Sequence, residues 1–214
     1  EPATGKLKTW PDAEVFRINA VASVKSETPI KIRLIPFADA GTTGTEYKIW
    51  LPYQQPRTDR NLLMDGVEIR SRKPNIGSII DNNSETIATT FSGKRAVDDW
   101  FGVELDEPVA VNKIIFTHGK TFHDGGWFNA NVEKPYVQIQ SSLKGEWKTV
   151  GELKDYPATT ATSSAKLKNG EQFVCQLEKP IEAFGVRVVG KPASGDNPKQ
   201  SFASCGELQA FNLP

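Results

Sequence analysis

Hydrophobic and polar residues alternate along several short segments of the chain. In residues 184–188 the apolar side chains fall on one side of an extended strand and Arg187 on the other, and residues 137–140 repeat the pattern. A period of two places one face of a strand in a core and the other in water. The pattern therefore predicts an all-β protein built as an antiparallel β-sandwich. The predicted strands cover residues 15–24, 30–36, 47–51, 100–105, 111–118, 136–141, 147–153, 173–177, 184–189 and 207–212.

Two polar breaks divide the chain. Residues 53–61 are polar and contain Pro56, and residues 71–77 contain Pro74. The residues between these breaks, 62–69, are compatible with a short helical turn or with a strand. We predict a smaller β-rich segment over residues 1–60, followed by the β-sandwich over residues 72–214.

The charge balance argues against several classes of partner. The 214 residues include 26 Lys plus Arg and 26 Asp plus Glu, so the formal net charge is zero. Nucleic acids and anionic membranes select a concentrated basic surface, and we predict neither as a partner. No apolar run approaches the ~20 residues that span a bilayer. Cys175 and Cys205 fit no zinc-binding spacing, and they either form a disulfide or remain buried free thiols.

Four segments match, in order, the motifs of a known domain type. They are IIDNNSET (79–86), DWFGVEL (99–105), VQIQS with EWKTV (137–150), and VRV with CGEL (186–208). With these motifs the chain resembles the discoidin-like domain (coagulation factor 5/8 C-type, galactose-binding-like), a jelly-roll β-sandwich found beside glycoside hydrolases. The resemblance implies a non-catalytic carbohydrate-binding module.

A second resemblance lies near the N-terminus. IRLIPFADAG (32–41) and YKIWLP (47–52) are similar to the final β-segment of β-L-arabinofuranosidase-like glycoside hydrolases. This resemblance implies that the chain is the tail of a larger enzyme and lacks its helical catalytic barrel. The remainder of that hydrolase would then be a partner, and the expected location is secreted, periplasmic or cell-surface.

The first matching motif contains a candidate calcium site. Asp81, Asn83 and Thr86 are spaced so that one tight turn can aim several oxygens inward, as Ca²⁺ requires. In the similar domains such a turn shares a structural Ca²⁺ with a C-terminal glutamate, which corresponds to Glu207, and Ser78 would add a backbone carbonyl. The resemblance thus implies an ion that ties the first and last strands together. The alternative is a turn whose side chains bond their own backbone.

Residues 118–131 form the most unusual loop and contain both histidines. A sugar site needs an aromatic face for the C–H side of a pyranose and polar groups for its hydroxyls. The alternative is a packed loop in which Trp127 plugs the end of the sandwich. Trp100 and Trp147 lie inside alternating strands and are predicted to be core residues. The predicted carbohydrate-binding residues are Trp127, Phe128, His118, His123, Asp124 and, in the loop at 191–201, Asn197.

The sequence suggests no active site and assigns no catalytic residue. It contains no Gly-x-Ser-x-Gly, phosphate-loop or His-Glu-x-x-His motif. Glycoside hydrolysis needs two positioned carboxylates, but Asp98 and Asp99 are adjacent in sequence and point to opposite faces of a strand, as do Asp106 and Glu107. We therefore predict that the chain is not an enzyme.

Three functions remain open at this point. The first is a non-catalytic accessory module of a secreted glycoside hydrolase, with a plant or microbial glycan as its ligand. The second is a packing domain of a larger enzyme that binds no glycan, and the third is a small hydrolase fragment that acts on glycans. An exposed Trp127 would favour the first, a buried Trp127 the second, and two carboxylates within about 10 Å in a cleft the third.

Overall fold

The structure is a computed structural model that describes residues 30–34, 47–51, 60–73, 77–83 and 85–213. The chain divides into two compact units, Glu1–Pro56 and Arg57–Pro214. In the first unit, β1 (Ile30–Leu34) pairs antiparallel with β2 (Tyr47–Leu51). This confirms the strands predicted at 30–36 and 47–51. The strand predicted at 15–24 lies outside the described residues.

The second unit is an antiparallel β structure. One hydrogen-bonded sheet has the strand order β4-β9-β5-β8-β6-β7, and β3 pairs with β5 outside this path. The described residues contain no helix, and hence no helix that could cross a bilayer. The strands are β3 (Val67–Arg70), β4 (Ala88–Thr89), β5 (Asp99–His118), β6 (Tyr136–Gln140), β7 (Trp147–Glu152), β8 (Gln172–Gly190) and β9 (Ser204–Phe211).

The two long strands, β5 and β8, run through both layers of a sandwich. Their ladder is interrupted between Glu104 and Val109 and again between Val111 and Lys113. Pro108 lies in the first interruption, where its missing N–H costs no ladder hydrogen bond. The predicted strands 100–105 and 111–118 are therefore two halves of one bent strand, and the same holds for 173–177 and 184–189 in β8.

Ring contacts show that the two halves of β5 face each other. Phe101 and Phe116 are 15 positions apart, which in an extended strand would separate them by roughly 50 Å. Their ring centroids are only 6.4 Å apart. Phe128 packs on both rings, at 6.5 Å from Phe101 and 5.7 Å from Phe116. The core thus lies between the two layers, and one ring of the loop after β5 completes it.

The sandwich begins before the predicted residue 72. Asn61 is buried, and its side-chain amide donates to the Leu208 carbonyl at 3.1 Å and accepts from the Ala210 N–H at 3.0 Å. Leu63 is fully buried, and β3 then pairs with the first half of β5. Residues 62–69, left open between turn and strand, contain a turn followed by the start of β3.

Cys175 and Cys205 are both buried free thiols. Cys175 on β8 pairs with Ile114, and Cys205 on β9 pairs with His118, so β5 lies between the two cysteines. Strands on either side of a third are about 10 Å apart, beyond the reach of a disulfide. Of the two sequence alternatives, the free thiols are confirmed.

Candidate functional site

The loop that was predicted to bind sugar folds its large aromatic side chains inward. Trp127 is 3% exposed and Phe128 is 1% exposed. The Trp127 indole N–H donates to the Thr160 carbonyl at 2.8 Å. Neither ring presents a face to solvent, so the prediction that Trp127 and Phe128 stack against sugar is wrong. The packed-loop alternative describes Trp127 correctly.

Two glycines explain the inward turn. Gly125 has φ 139° and Gly126 has φ 104°, and a β-carbon at Gly126 would collide with the Lys120 carbonyl oxygen. The chain therefore folds back tightly after a two-residue turn, with Phe122 bridged to Gly125. Gly126 then forms a β-bridge with Ala203, and the next two residues, Trp127 and Phe128, are buried.

His118 is also buried and does not reach the surface. It is 0% exposed, and its Nε2 lies 3.2 Å from the Thr121 hydroxyl. Burial lowers the pKa of His118 to about 4, because the charged imidazolium would lose its hydration. A neutral, enclosed imidazole contributes to the packing of the loop, and the prediction that it contacts sugar is wrong.

His123, Asp124 and Asn197 are solvent-accessible at the same end of the sandwich. His123 Nδ1 lies 3.1 Å from the Asp196 carboxylate, which is the largest cause of a raised His123 pKa. The Asp124 carboxylate accepts from the Gln200 amide at 2.5 Å. The loops at 118–131 and 191–201, which the sequence selected separately, therefore meet. Sugar contact by these three residues stays a prediction.

An open cleft of about 410 Å³ lies beside these loops. Arg95 and Lys191 supply cationic donors, Asn129 an amide and Ser194 a hydroxyl. Among the described residues that line the cleft there is no carboxylate, so the acid pair expected of a hydrolase is not found in it. The lining residues are Arg95, Ala96, Val97, Asn129, Ala161, Lys191, Pro192, Ser194 and Ser201.

Sequence reasoning missed Arg95 and gave Lys191 no role. Arg95 follows β4 in a short polar segment that matches no motif, and only the fold brings it beside Lys191. Only their positions in the chain could have indicated that the two residues lie together. Arg95 comes shortly before β5, and Lys191 comes directly after β8. Because β5 and β8 are antiparallel neighbours, those positions lie at one end of the sheet.

A buried ion pair holds the two walls of the cleft together. Arg72 binds the fully buried carboxylate of Asp99 through Nε at 2.9 Å and also through Nη2. The same guanidinium donates to the Lys94 carbonyl at 2.8 Å and to the Ser201 carbonyl at 2.5 Å. Lys94 precedes Arg95 and Ser201 lines the cleft, so Arg72 joins segments that are distant in sequence.

The predicted calcium turn brings several of its residues together. The Asn83 N–H is shared by Asp81 Oδ1 and Glu207 Oε1, each at 3.0 Å. The Thr86 N–H donates to the Asn83 carbonyl at 3.0 Å. The Ser78 hydroxyl instead donates to Glu68, a carboxylate that the sequence reasoning missed. The turn therefore meets β9 at Glu207, as the resemblance implied.

Glu207 carries an unusual carboxylate. The residue is 3% exposed, and its Oε2 has no hydrogen-bond partner. Burial and the nearby Asp81 raise the pKa of Glu207 to about 7. In the part of the chain that is described, no group of three or more His, Cys, Asp or Glu forms a metal cluster. An ion here would therefore depend on two carboxylates and on amide and backbone oxygens, a donor set that Ca²⁺ accepts.

Trp100 and Trp147 lie on the outer face of the sheet and not in the core. The Arg187 guanidinium carbon is 5.2 Å from the Trp100 ring and 4.4 Å from the Trp147 ring. All three side chains are half-buried. The prediction of two core tryptophans is wrong, because alternation defines two faces of a strand and the core-facing one here carries Phe101 and Val103.

Neither a family model nor a curated protein matches the chain. Several solved structures do. A family 32 carbohydrate-binding module from Clostridium perfringens NanJ, in complex with galactose, is 18% identical and has a TM-score of 0.50, over 71% of this chain and 98% of its own. A second module from C. perfringens, CpGH89CBM32-5, was solved with GalNAc-β-1,3-galactose. It is 16% identical with a TM-score of 0.51, over 72% of this chain and 100% of its own.

A third similar structure is a family 32 module from a family 31 glycoside hydrolase of C. perfringens. It is 16% identical with a TM-score of 0.53, over 75% of this chain and 100% of its own. At such identities the similarity is one of fold. The chain has the galactose-binding-like, discoidin-type β-sandwich fold, which confirms the fold that the sequence motifs predicted.

Proposed function

We propose that the Arg57–Pro214 unit is a carbohydrate-binding module whose ligand enters the loop-end cleft. The observation that carries the proposal is the cleft itself, an open volume of about 410 Å³ whose lining includes Arg95, Lys191 and Asn129. Small-molecule sites in proteins are concave, have volumes of about 300–1,000 Å³ and carry a few precisely placed polar groups. The three solved modules of the same fold, two of them with sugars bound, support this choice of ligand class.

The lining residues suggest how a sugar would be held. Arg95 and Lys191 can donate to ring and hydroxyl oxygens, while the Asn129 amide can donate and accept. Val97 and Pro192 offer apolar atoms to the C–H side of a pyranose. Because no aromatic residue is among the described lining residues, the binding should be weaker than binding over an exposed tryptophan.

We also propose that the chain is a non-catalytic accessory part of a secreted glycoside hydrolase. Its ligand would then be a plant or microbial glycan, and the rest of the hydrolase its partner, outside the cell or at its surface. Two facts support this proposal: the motifs at 32–41 and 47–52, and a solved neighbour that comes from a family 31 glycoside hydrolase.

The turn at Asp81 is proposed to hold a structural Ca²⁺. The buried Glu207 oxygen without a hydrogen-bond partner fits an ion, because a desolvated carboxylate is costly without a counter-charge. Asp81 and Glu207 would supply charge, and Asn83, Thr86 and Ser78 would add side-chain or carbonyl oxygens. The bound ion would link the turn to β9 and so join the two ends of the sandwich chain.

Isothermal titration of the full chain with galactose and with GalNAc-β-1,3-galactose tests the glycan proposal. Weak, saturable binding is expected, and Arg95→Ala should weaken it because the cleft loses a donor. The matched control is Arg60→Ala, which removes an exposed arginine that pairs with Asp65 and does not line the cleft. Absence of binding across a broad panel of neutral glycans, or equal losses in both variants, would overturn it.

Thermal unfolding with Ca²⁺ and then with chelator tests the metal proposal. Saturation at 100 times the dissociation constant stabilises a folded protein by about 2.7 kcal/mol, so the melting temperature should rise. Glu207→Gln should remove that response, whereas Glu146→Gln, an exposed glutamate before β7, should retain it. The same response in both variants would place the ion elsewhere.

A packing domain without glycan binding is the second candidate. The specific observation that favours it is Trp127, which is 3% exposed and bonded to Thr160, the arrangement expected of a plug and not of a binding platform. Under this alternative the titrations would be flat in every sugar while calcium would still raise the melting temperature.

A further inference from the structure

The outer face of the β5–β8–β6–β7 sheet displays a stack of three flat groups. Arg187 faces Gly102 on β5 and Gln138 on β6 in the ladder, which places its side chain in the middle of the face. The stem of Arg187 lies where a β-carbon of Gly102 would be, and the Trp147 ring lies where a β-carbon of Gly185 would be. Two missing side chains thus leave room for a ledge formed by Trp100, Arg187 and Trp147.

A row of hydrogen bonds sets the orientation of the guanidinium. Arg187 Nε donates to Gln138 Oε1 at 2.8 Å, and Gln138 Nε2 donates to the Thr149 hydroxyl at 3.2 Å. Within the described residues, the two terminal nitrogens of Arg187 have no hydrogen-bond partner. Nitrogens presented together in this way match the two oxygens of a carboxylate.

The ledge carries the positive charge of Arg187, and the exposed Glu104 lies on the same face of β5, two positions from Gly102. None of the ion pairs between described residues includes Arg187. Burial lowers the pKa of Arg187, and the Tyr136 phenol opposes this effect. A half-buried cation between two indoles favours an anionic ligand, because an anion restores the electrostatic energy lost on desolvation.

We propose that Trp100, Arg187 and Trp147 form a second carbohydrate site, which binds the carboxylate of an acidic sugar, a uronate. The guanidinium binds the carboxylate through its two terminal nitrogens, and the indoles pack against the C–H groups of the ring. This site lies on the sheet face, and it does not depend on whether a neutral sugar binds the loop-end cleft.

Nuclear magnetic resonance titration of the full chain with trigalacturonate tests the proposal. The expected result is a saturable shift of the Trp100 and Trp147 indole N–H and the Arg187 Nε–H signals. The methyl ester of the same trisaccharide should bind at least about tenfold more weakly, because it lacks charge-assisted hydrogen bonds. Equal affinity for the ester, no shift, or shifts confined to Asn129 and Lys191 would overturn the proposal.

Two arginine variants sharpen the test. Arg187→Lys keeps the charge but loses the planar fork, and the trigalacturonate affinity should fall about tenfold. Arg60→Lys is the matched control and should leave the affinity unchanged, and the melting temperature of both variants verifies folding. Unchanged affinity in Arg187→Lys would overturn the proposal. A galactose titration that fails while these shifts persist would overturn only the loop-end site.

Discussion

The loop end and the outer sheet face use their aromatic residues in opposite ways. At the loop end, Trp127 and Phe128 are turned inward, and the surface is left to Arg95, Lys191 and polar groups. On the sheet face, Trp100 and Trp147 are held outward around one arginine. A tight turn can direct consecutive side chains into the core, whereas a regular strand must present every second side chain to the outside. Of these four aromatic residues, the two that reach solvent therefore lie on strands.

Among single substitutions in these two regions, the largest loss of unfolding free energy is expected at Trp127. Replacing a buried tryptophan with alanine costs about 3–5 kcal/mol through lost packing and the cavity that remains. Trp127→Ala should therefore lower the free energy of unfolding by that amount in denaturant titration. Trp127→Phe, which loses mainly the bond to Thr160, should cost much less. A change below about 1 kcal/mol for Trp127→Ala would mean that the ring is not part of the core.

His118 should make the loop end sensitive to acid. Its folded pKa of about 4 lies below the ordinary 6.5, so the neutral side chain stabilises the fold above pH 6.5, and this stability is lost as the pH falls toward 4. The difference between these two pKa values corresponds to about 3 kcal/mol. Between pH 7.5 and 4, the wild type should lose about that much more unfolding free energy than His118→Gln.

That comparison isolates His118, because Glu207 and all other groups titrate in both proteins. Parallel pH profiles for wild type and His118→Gln would show that the imidazole is hydrated in the folded protein and would contradict its enclosure by the loop.

One glycine-to-alanine substitution in each region, Gly126→Ala and Gly185→Ala, should distinguish the cost of backbone strain from the cost of side-chain crowding. Gly126→Ala places a β-carbon against the Lys120 carbonyl at φ 104°, and a strained backbone of this kind costs about 1–3 kcal/mol. In Gly185→Ala the new methyl group meets the Trp147 ring at 2.7 Å and the Gln140 side chain at 3.3 Å, and both neighbours are side chains that can move. The melting temperature should fall clearly for the first variant and little for the second. The reverse order would contradict the assigned roles.

The smallest loss of unfolding free energy is expected for a substitution on the sheet face. Trp147→Ala removes a half-buried ring and one cation–π contact, which contributes about 0.5–1 kcal/mol at an exposed site. The unfolding free energy should fall by about that amount plus a modest packing loss, well below the effect of Trp127→Ala. Equal costs for the two variants would remove the contrast between the regions.

Much of the framework was predictable from local pattern. The alternation at Val137–Ile139 and Val186–Val188 is confirmed by the burial of these valines and Ile139. The turn at Asp81 was predicted from its Asp and Asn residues, whereas its position beside Glu207 was implied only by the resemblance to discoidin-like domains; the Asn83 N–H bonds to both carboxylates. Period-two patterns and short motifs depend on neighbours in sequence, and such features remain visible in a single chain.

The candidate site was predictable only in part. The tip residues His123, Asp124 and Asn197 were selected and lie together at the surface. Trp127, Phe128 and His118 were selected for the same chemistry but are buried. Residue type indicates what a side chain can bind, but not whether its loop turns toward solvent. Arg95 was missed because the other cleft residues, Lys191 among them, are distant from it in the sequence.

The sequence by itself therefore determined the β-class, the positions of most strands and the presence of a turn at Asp81. These depend on side-chain periodicity and turn chemistry, which act over a few residues. Only the tertiary structure decided that two pairs of predicted strands are single bent strands and that Trp127 lies inside while Trp147 lies outside. It also decided that Arg95 and Lys191 share a cleft. Each of these outcomes depends on which distant segments pack together, because packing determines the side of every loop and strand that water reaches.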